Sequence, residues 1–285
     1  MFPSTPIIPH NNVCALAQLT MLVYEYGVSI TPDDKTPIET FVSDIIHGKR
    51  ETLKNQLRMD VITQLAKKSP NGRVHKFFSN EETDLQVGIT VSDVNRRITV
   101  VFRGSESKSD WYYDLSLFKI RLHDDVYVHG GFHRQLHDEN MCNNLTNELK
   151  LVLAEYPDYN VYITGHSLGG ALATLYGYEL SRIIDNNITV VSFASPRIGN
   201  KPFRREFDAR SNLIHYRVTH KRDIITAFPS INYYHVGVAV ALSENKFDVY
   251  YAYNYSWYKY SLLRCWRASD HSMDLYYKCL IKNEW

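Results

Sequence analysis

No apolar run in this sequence approaches the roughly 18 residues that a helix needs to cross a bilayer. Nor is there an excess of one charge: 32 Lys and Arg against 31 Asp and Glu leave a formal net charge of +1. That balance, with no basic stripe, gives no electrostatic footing for nucleic acid as a partner. Lys67-Lys68 and Arg96-Arg97 are isolated pairs of the kind found in solvated loops. The four cysteines, Cys14, Cys142, Cys265 and Cys279, show neither CxxC spacing nor the density of a disulfide scaffold. Free thiols are therefore expected, the sharper alternative being a bridge from Cys14 to Cys265 or Cys279 that ties the chain ends together. Internal repeats, low-complexity tracts and linkers rich in Pro, Gly or Ser are also missing, which argues for one domain.

What is present suits an ordinary globular protein: 285 residues, 44% hydrophobic and 22% charged, enough to close a core. Val13 to Val23 has the apolarity of a leader-peptide core. It contains Gln18 and Thr20, no Lys or Arg precedes it and no small-residue cleavage site follows, so an N-terminal helix of the fold is expected instead. On that reading the cytoplasm is slightly favoured over secretion. Glycosylation sequons at Asn144, Asn187 and Asn254 are as frequent as chance supplies and decide nothing.

Periodicity divides the chain. The first 70 residues read as helical: Asn12 as the cap of a helix carrying Leu16, Leu19, Leu22 and Val23, then patterns over Ile38–Ile46 and Leu53–Leu65. Residues 1–84 are thus expected to be a helical segment of the same domain as a core spanning 85–285. From Leu85 the period falls to two, and Leu85–Val91 with Ile98–Phe102 predicts a β-hairpin turned at Asp93-Val-Asn95. A helix over Met141–Tyr156, a strand at Val161–Ile163, a helix over 168–184 and strands at Thr189–Phe193 and Leu213–Val218 follow. Such alternation predicts an α/β fold whose mostly parallel sheet is covered by helices on both faces. Phe247, Val249, Tyr251, Tyr253, Tyr255 and Trp257 alternate as a strand with one buried face would, the alternative being an aromatic wall at a membrane interface.

The most specific signal is Val161-Tyr-Ile-Thr-Gly165-His-Ser167-Leu-Gly169-Gly170-Ala171. A Gly-x-Ser-x-Gly between strand and helix is a nucleophile elbow. Gly165 and Gly169 remove side chains that would collide across so sharp a turn, and Ser167 is left at the positive end of the next helix.

In such a fold an acid and then a histidine follow the serine along the chain. Asp223 stands five residues past the strand ending at Val218, at the carboxyl edge where ligands bind in open sheets; Asp208 and Asp248 are weaker candidates. Order restricts the base to His235 or His271 among 12 histidines. His235 lies in Tyr233-Tyr-His-Val-Gly-Val238, which reads as a strand, whereas His271 precedes a final helix in a polar loop and is preferred. For the oxyanion hole, Leu168 supplies one N–H, and Ser105, just after the Ile98–Phe102 strand, is expected to supply the second. His129-Gly130-Gly131 competes for that role but is read as a turn into a helix beginning near Phe132. His129, His133 and His137 fall at i, i+4 and i+8; the glycine pair breaks that helix, so no metal is expected.

Taken together, the chain resembles the class 3 lipases, the fungal lipase-like branch of the α/β-hydrolases. The resemblance is carried by Val100-Val-Phe-Arg-Gly-Ser105, Asp110-Trp111, Val128-His-Gly-Gly-Phe132, Thr164-Gly-His-Ser-Leu-Gly-Gly-Ala171, Ser195-Pro-Arg-Ile-Gly199, Arg217-Val-Thr-His220 with Asp223, and Asp270-His271. It implies a cofactor-free hydrolase of acylglycerols or related esters, with Ser167, Asp223 and His271 as triad and Ser105 with Leu168 as oxyanion hole. It also implies a lipid substrate and transient contact with a membrane or lipid-droplet interface. A phospholipase A1-type or feruloyl-esterase-type specificity uses the same machinery, and a non-catalytic lipid-binding relative is the alternative of another class. Two departures stand out. Residues 28–70 are longer than is usual in the family, and Ser105 to Leu117, where the family keeps its lid, offers Trp111, Tyr112 and Tyr113 for substrate between polar flanks.

Overall fold

Alternate side chains along single strands feed two separate cores. In the strand Arg97–Phe102, Ile98, Val100 and Phe102 join one buried cluster while Val101 joins the other. Ile188–Phe193 divides likewise, with Val190 on one side and Val191 and Phe193 on the other. A period of two with both phases apolar requires a sheet covered on both faces. The computed structural model describes residues 8–29, 73–80, 82–104, 118–220, 222–243, 246–251 and 268–285.

The described strands are β1 (Arg73–Asn80), β2 (Leu85–Ser92), β3 (Arg97–Phe102), β4 (Lys119–His123), β5 (Val126–His129), β6 (Asn160–His166), β7 (Ile188–Phe193), β8 (Leu213–His220), β9 (Val238–Ser243) and β10 (Lys246–Tyr251). Eight form one sheet in the order β1-β2-β3-β6-β7-β8-β9-β10, and β4 with β5 makes a separate hairpin. The run from β3 to β9 is parallel, flanked by antiparallel pairs at both edges. Helices α1 (His10–Ser29) and α6 (Met273–Lys282) cover one face. On the other lie α2 (Gly130–His137), α3 (Met141–Glu155), α4 (Leu168–Leu180) and α5 (Lys201–Ala209). This is the mostly parallel, doubly covered sheet that the sequence predicts.

Several expectations change. Helix α1 starts at His10, not after an Asn12 cap: the Pro9 carbonyl accepts from the N–H groups of Asn12 and Val13, and the Asn12 amide reaches Tyr162 Oη at 3.4 Å. Ahead of residue 85, where helix was expected, Arg73–Asn80 is instead an edge strand paired with β2. Its register shifts between Val74 and Lys76, so the buried Val74 and Phe77 fall three apart and mimic a helical period. The boundary drawn at residue 84 therefore falls within a hairpin. The patterns at Ile38–Ile46 and Leu53–Leu65 lie outside the described residues.

The strand read as Val161–Ile163 runs on to His166, because Thr164 Oγ1 satisfies its polarity inside the sheet by donating to the Val191 carbonyl at 2.7 Å. Helix 168–184 stops at Leu180. Tyr233–Gly237, read as a strand, is an extended connection with one bridge from Tyr234 to Gly199, since Gly237 at φ 70° interrupts it. Of the aromatic alternation, Phe247 and Val249 pack on the α1 side from β10, and Tyr253, Tyr255 and Trp257 lie outside the described residues. Cys14, Cys142 and Cys279 are free, so no Cys14–Cys279 bridge forms; Cys265 lies outside the described residues.

Candidate active site

β6 ends at His166 and α4 begins at Leu168, so Ser167 alone makes the turn. Its backbone sits at φ 59° and ψ −123°, a region L-residues rarely occupy. Neighbours hold it there: Ser167 N–H donates to the Phe193 carbonyl of β7 at 2.9 Å. A Cβ on Gly165 would lie 2.4 Å from the Gly169 carbonyl carbon, and one on Gly169 would lie 2.4 Å from the Phe102 carbonyl oxygen. The turn is thus pressed against β3 with room for hydrogen only, which is the physical reason for glycine at both places.

A chain of three side chains meets here. His271 Nε2 stands 2.6 Å from Ser167 Oγ, and His271 Nδ1 stands 2.9 Å from Asp223 Oδ2. Ser167 follows β6, Asp223 follows β8 and His271 precedes α6, 56 and 48 residues apart along the chain, and the parallel strand order sets the first two at the same end of the sheet. Asp223 is fully buried, and its carboxylate has other donors: Ile225 N–H at 2.9 Å to Oδ1 and Tyr276 Oη at 2.7 Å to Oδ2. A buried carboxylate is tolerable only when so satisfied. Ser167 itself is buried, at 7% exposure. Such an array can pass the serine proton to an imidazole whose cation a fixed anion stabilises.

Leu168 is the first residue of α4, so its N–H belongs to the set lacking an intrahelical acceptor. The loop after β3 runs close by: a Cβ on Gly104 would meet the His166 carbonyl oxygen at 2.6 Å. Ser105, Trp111, Tyr112 and Tyr113 lie outside the described residues.

Sequence reasoning missed the supports of this array. Tyr276, on the first turn of α6, accepts from the His220 N–H at 2.8 Å while donating to Asp223, and so ties the end of β8 to the acid. Asp270, beside His271, accepts from Arg222 Nε at 2.8 Å, and His220 Nδ1 lies 3.5 Å from the same oxygen. Tyr24 of α1 lies 3.2 Å from His166 Nδ1, whose ring sits 4.9 Å from that of His271. His166, His220 and Asp270 stand within the motifs quoted above but carried no role there, and no motif or period flags Tyr24, Arg222 or Tyr276.

The rival residues have other work. Asp208 accepts from Gly237 N–H at 2.9 Å, and burial raises its carboxyl above the usual range. Asp248 lies on β10, opposite Ala241. His235 Nε2 meets the Thr226 carbonyl at 2.7 Å; burial, then the charges of Arg217 and Arg197, lowers it well below an ordinary imidazole. His129 accepts from Phe132 N–H at 3.4 Å and caps α2, which begins at Gly130, two residues earlier than expected.

Similarity to known proteins extends over part of the sequence and over the fold. Residues 99–233 match the family model described as lipase (class 3). A lipase from Rhizopus niveus is 31% identical over 184 residues, covering 61% of this chain and 46% of that protein. The secreted mono- and diacylglycerol lipase A of Penicillium cyclopium is 31% identical over 166 residues, 57% of this chain and 53% of that protein. The chain thus spans about half the length of these relatives. Among solved structures, the Rhizomucor miehei triacylglyceride lipase superimposes with a TM-score of 0.73 at 21% identity, covering 95% of this chain and 96% of that one. The shared architecture is the α/β-hydrolase fold.

Proposed function

We propose that this chain, whose residues 99–233 match the class 3 lipase family model, hydrolyses carboxylic esters of lipids, acylglycerols foremost, through an acyl-enzyme on Ser167. The observation that carries the proposal is the continuous contact from Ser167 Oγ to His271 Nε2 at 2.6 Å and from His271 Nδ1 to Asp223 Oδ2 at 2.9 Å.

In the first step Ser167 Oγ attacks the ester carbonyl carbon as its proton passes to His271 Nε2. The carbonyl π pair moves to oxygen, and the Leu168 and Ser105 N–H groups receive the oxyanion. The intermediate collapses, the alcohol leaves with the proton from His271, and Ser167 remains acylated. Water then repeats the sequence, giving up its proton to His271 and releasing the carboxylic acid. Asp223 stays ionised throughout, holding the imidazole with Nε2 free to accept. Side chains, ester and water supply every proton and electron pair in this scheme, so it calls on no cofactor.

Acylglycerols are favoured because the Penicillium cyclopium relative reported above is named for them. The test is turnover of triolein, phosphatidylcholine and methyl ferulate side by side by the wild type and Ser167→Ala. Triolein hydrolysis lost in the variant supports the proposal. Faster phosphatidylcholine or ferulate turnover reassigns the substrate to a phospholipase A1-type or feruloyl-esterase-type reaction. Binding of lipid without turnover leaves a non-catalytic lipid-binding protein. If the Ser105 hydroxyl donates to the oxyanion beside its N–H, its loss is expected to cost up to about 10²–10³ in kcat.

A further inference from the structure

We propose that His133, His137 and Glu179 form a divalent transition-metal site, best suited to zinc, that clamps α2 to α4. His133 and His137 are four residues apart on α2, so one helical turn sets both imidazoles on the same face. Their rings stack with centroids 4.2 Å apart. Facing them from α4 is Glu179, whose carboxylate lies 3.0 Å from His137 Nε2. One ligand atom from each of the three lies within 4.8 Å of the others. Zinc bonds of about 2.0–2.2 Å to nitrogen and oxygen put neighbouring ligand atoms a little over ~3 Å apart. Small χ rotations of partly exposed side chains close that gap.

Charge points the same way. The Glu179 side chain is only 16% exposed, yet among the described residues no Lys or Arg pairs with it. Its side-chain partners are two groups without fixed charge, His137 and the Cys142 thiol, which donates at 3.5 Å. A partly buried carboxylate beside two imidazoles is a donor set short of a cation. Cys142 supplies the outer hydrogen bond that orients a ligating carboxylate. His137, with a side-chain exposure of 36%, leaves a path for the ion and a place for water to complete the coordination.

The site is structural. Glu179 lies about 18 Å along α4 from Ser167 at 1.5 Å per residue, too far to touch the ester. Its existence is independent of the proposed hydrolysis. Of the triplet suggested by the i, i+4, i+8 spacing, His129 is replaced by Glu179, because His129 caps the helix instead.

A simple His137–Glu179 ion pair is the rival, and His133 separates the two: an ion pair does not need it, whereas a metal site does. The metal-free full chain is titrated with zinc chloride by calorimetry and thermal unfolding, with His133→Ala, Glu179→Gln and, as control, His123→Ala. One equivalent should bind, with Tm rising by about 5 °C at a hundredfold excess over Kd. Kd should weaken at least ~10-fold in His133→Ala and Glu179→Gln and stay unchanged in His123→Ala. Cobalt(II) offers a second readout, since a tetrahedral protein site absorbs visible light far more strongly than the hydrated ion. Absence of saturable binding, a hydrated-ion cobalt spectrum, or undiminished zinc affinity in His133→Ala would overturn the proposal.

Discussion

Tyr276 and Asp223 share a 2.7 Å hydrogen bond on the same carboxylate oxygen that faces His271. Tyr276 also accepts the His220 N–H, so its removal unties both the acid and the end of β8. Tyr276→Phe should lower kcat about 10–100-fold, the equivalent of one hydrogen bond to a charged group, with KM little changed. Steady-state kinetics on a soluble ester check this; an unchanged kcat would mean that Asp223 is held by its other donors alone.

Asp223→Asn keeps the shape but offers an amide to His271 Nδ1. The imidazole then favours the tautomer whose Nε2 carries the proton, and kcat should fall by roughly 10⁴ while the fold persists. Circular dichroism beside initial rates separates this outcome from unfolding.

Gly169→Ala should destabilise the fold by about 2–4 kcal/mol, because the new methyl meets the Phe102 carbonyl oxygen at 2.4 Å and the Arg103 carbonyl carbon and oxygen at 2.8 Å, all backbone atoms that yield poorly. Gly88→Ala is the contrast: its methyl would find only Phe77 Cδ2 at 3.6 Å, an ordinary contact, so its effect should stay within about 1 kcal/mol. Urea midpoints of the two variants decide the comparison.

Acid should weaken the fold through His215. Burial first, then the charge of Arg217, pushes this imidazole from 6.5 down to about 3. Unfolded chain takes up a proton near pH 6.5, whereas the folded chain resists until about pH 3. The stability contribution is therefore intact above pH 6.5 and lost progressively between those values, at up to about 1.4 kcal/mol per pH unit. Between pH 7 and pH 5 the wild type should lose roughly 2 kcal/mol that His215→Gln does not. Parallel pH slopes for the two proteins would contradict this assignment.

What was legible in the sequence was what adjacent residues enforce. A one-residue turn pressed against a neighbouring strand demands glycine at 165 and 169, and chain order then points to Asp223 and His271. Tyr276 could not be read, because its hydrogen bond to Asp223 spans 53 residues and depends on how α6 docks. β1 was hidden by its bulge, which gave Val74 and Phe77 the spacing of a helix. The Asn12 cap failed because a turn accepting on the Pro9 carbonyl had already started the helix. Glu179 gave no hint of meeting His137, since that contact arises only when α2 packs on α4.

The most direct measurement is labelling of the wild-type chain with a fluorophosphonate probe, followed by mapping of the modified peptide. A hydroxyl made nucleophilic by His271 should react stoichiometrically at Ser167, and His271→Ala should abolish the label. Modification at another serine, or none in a folded protein that still hydrolyses esters, would contradict the account.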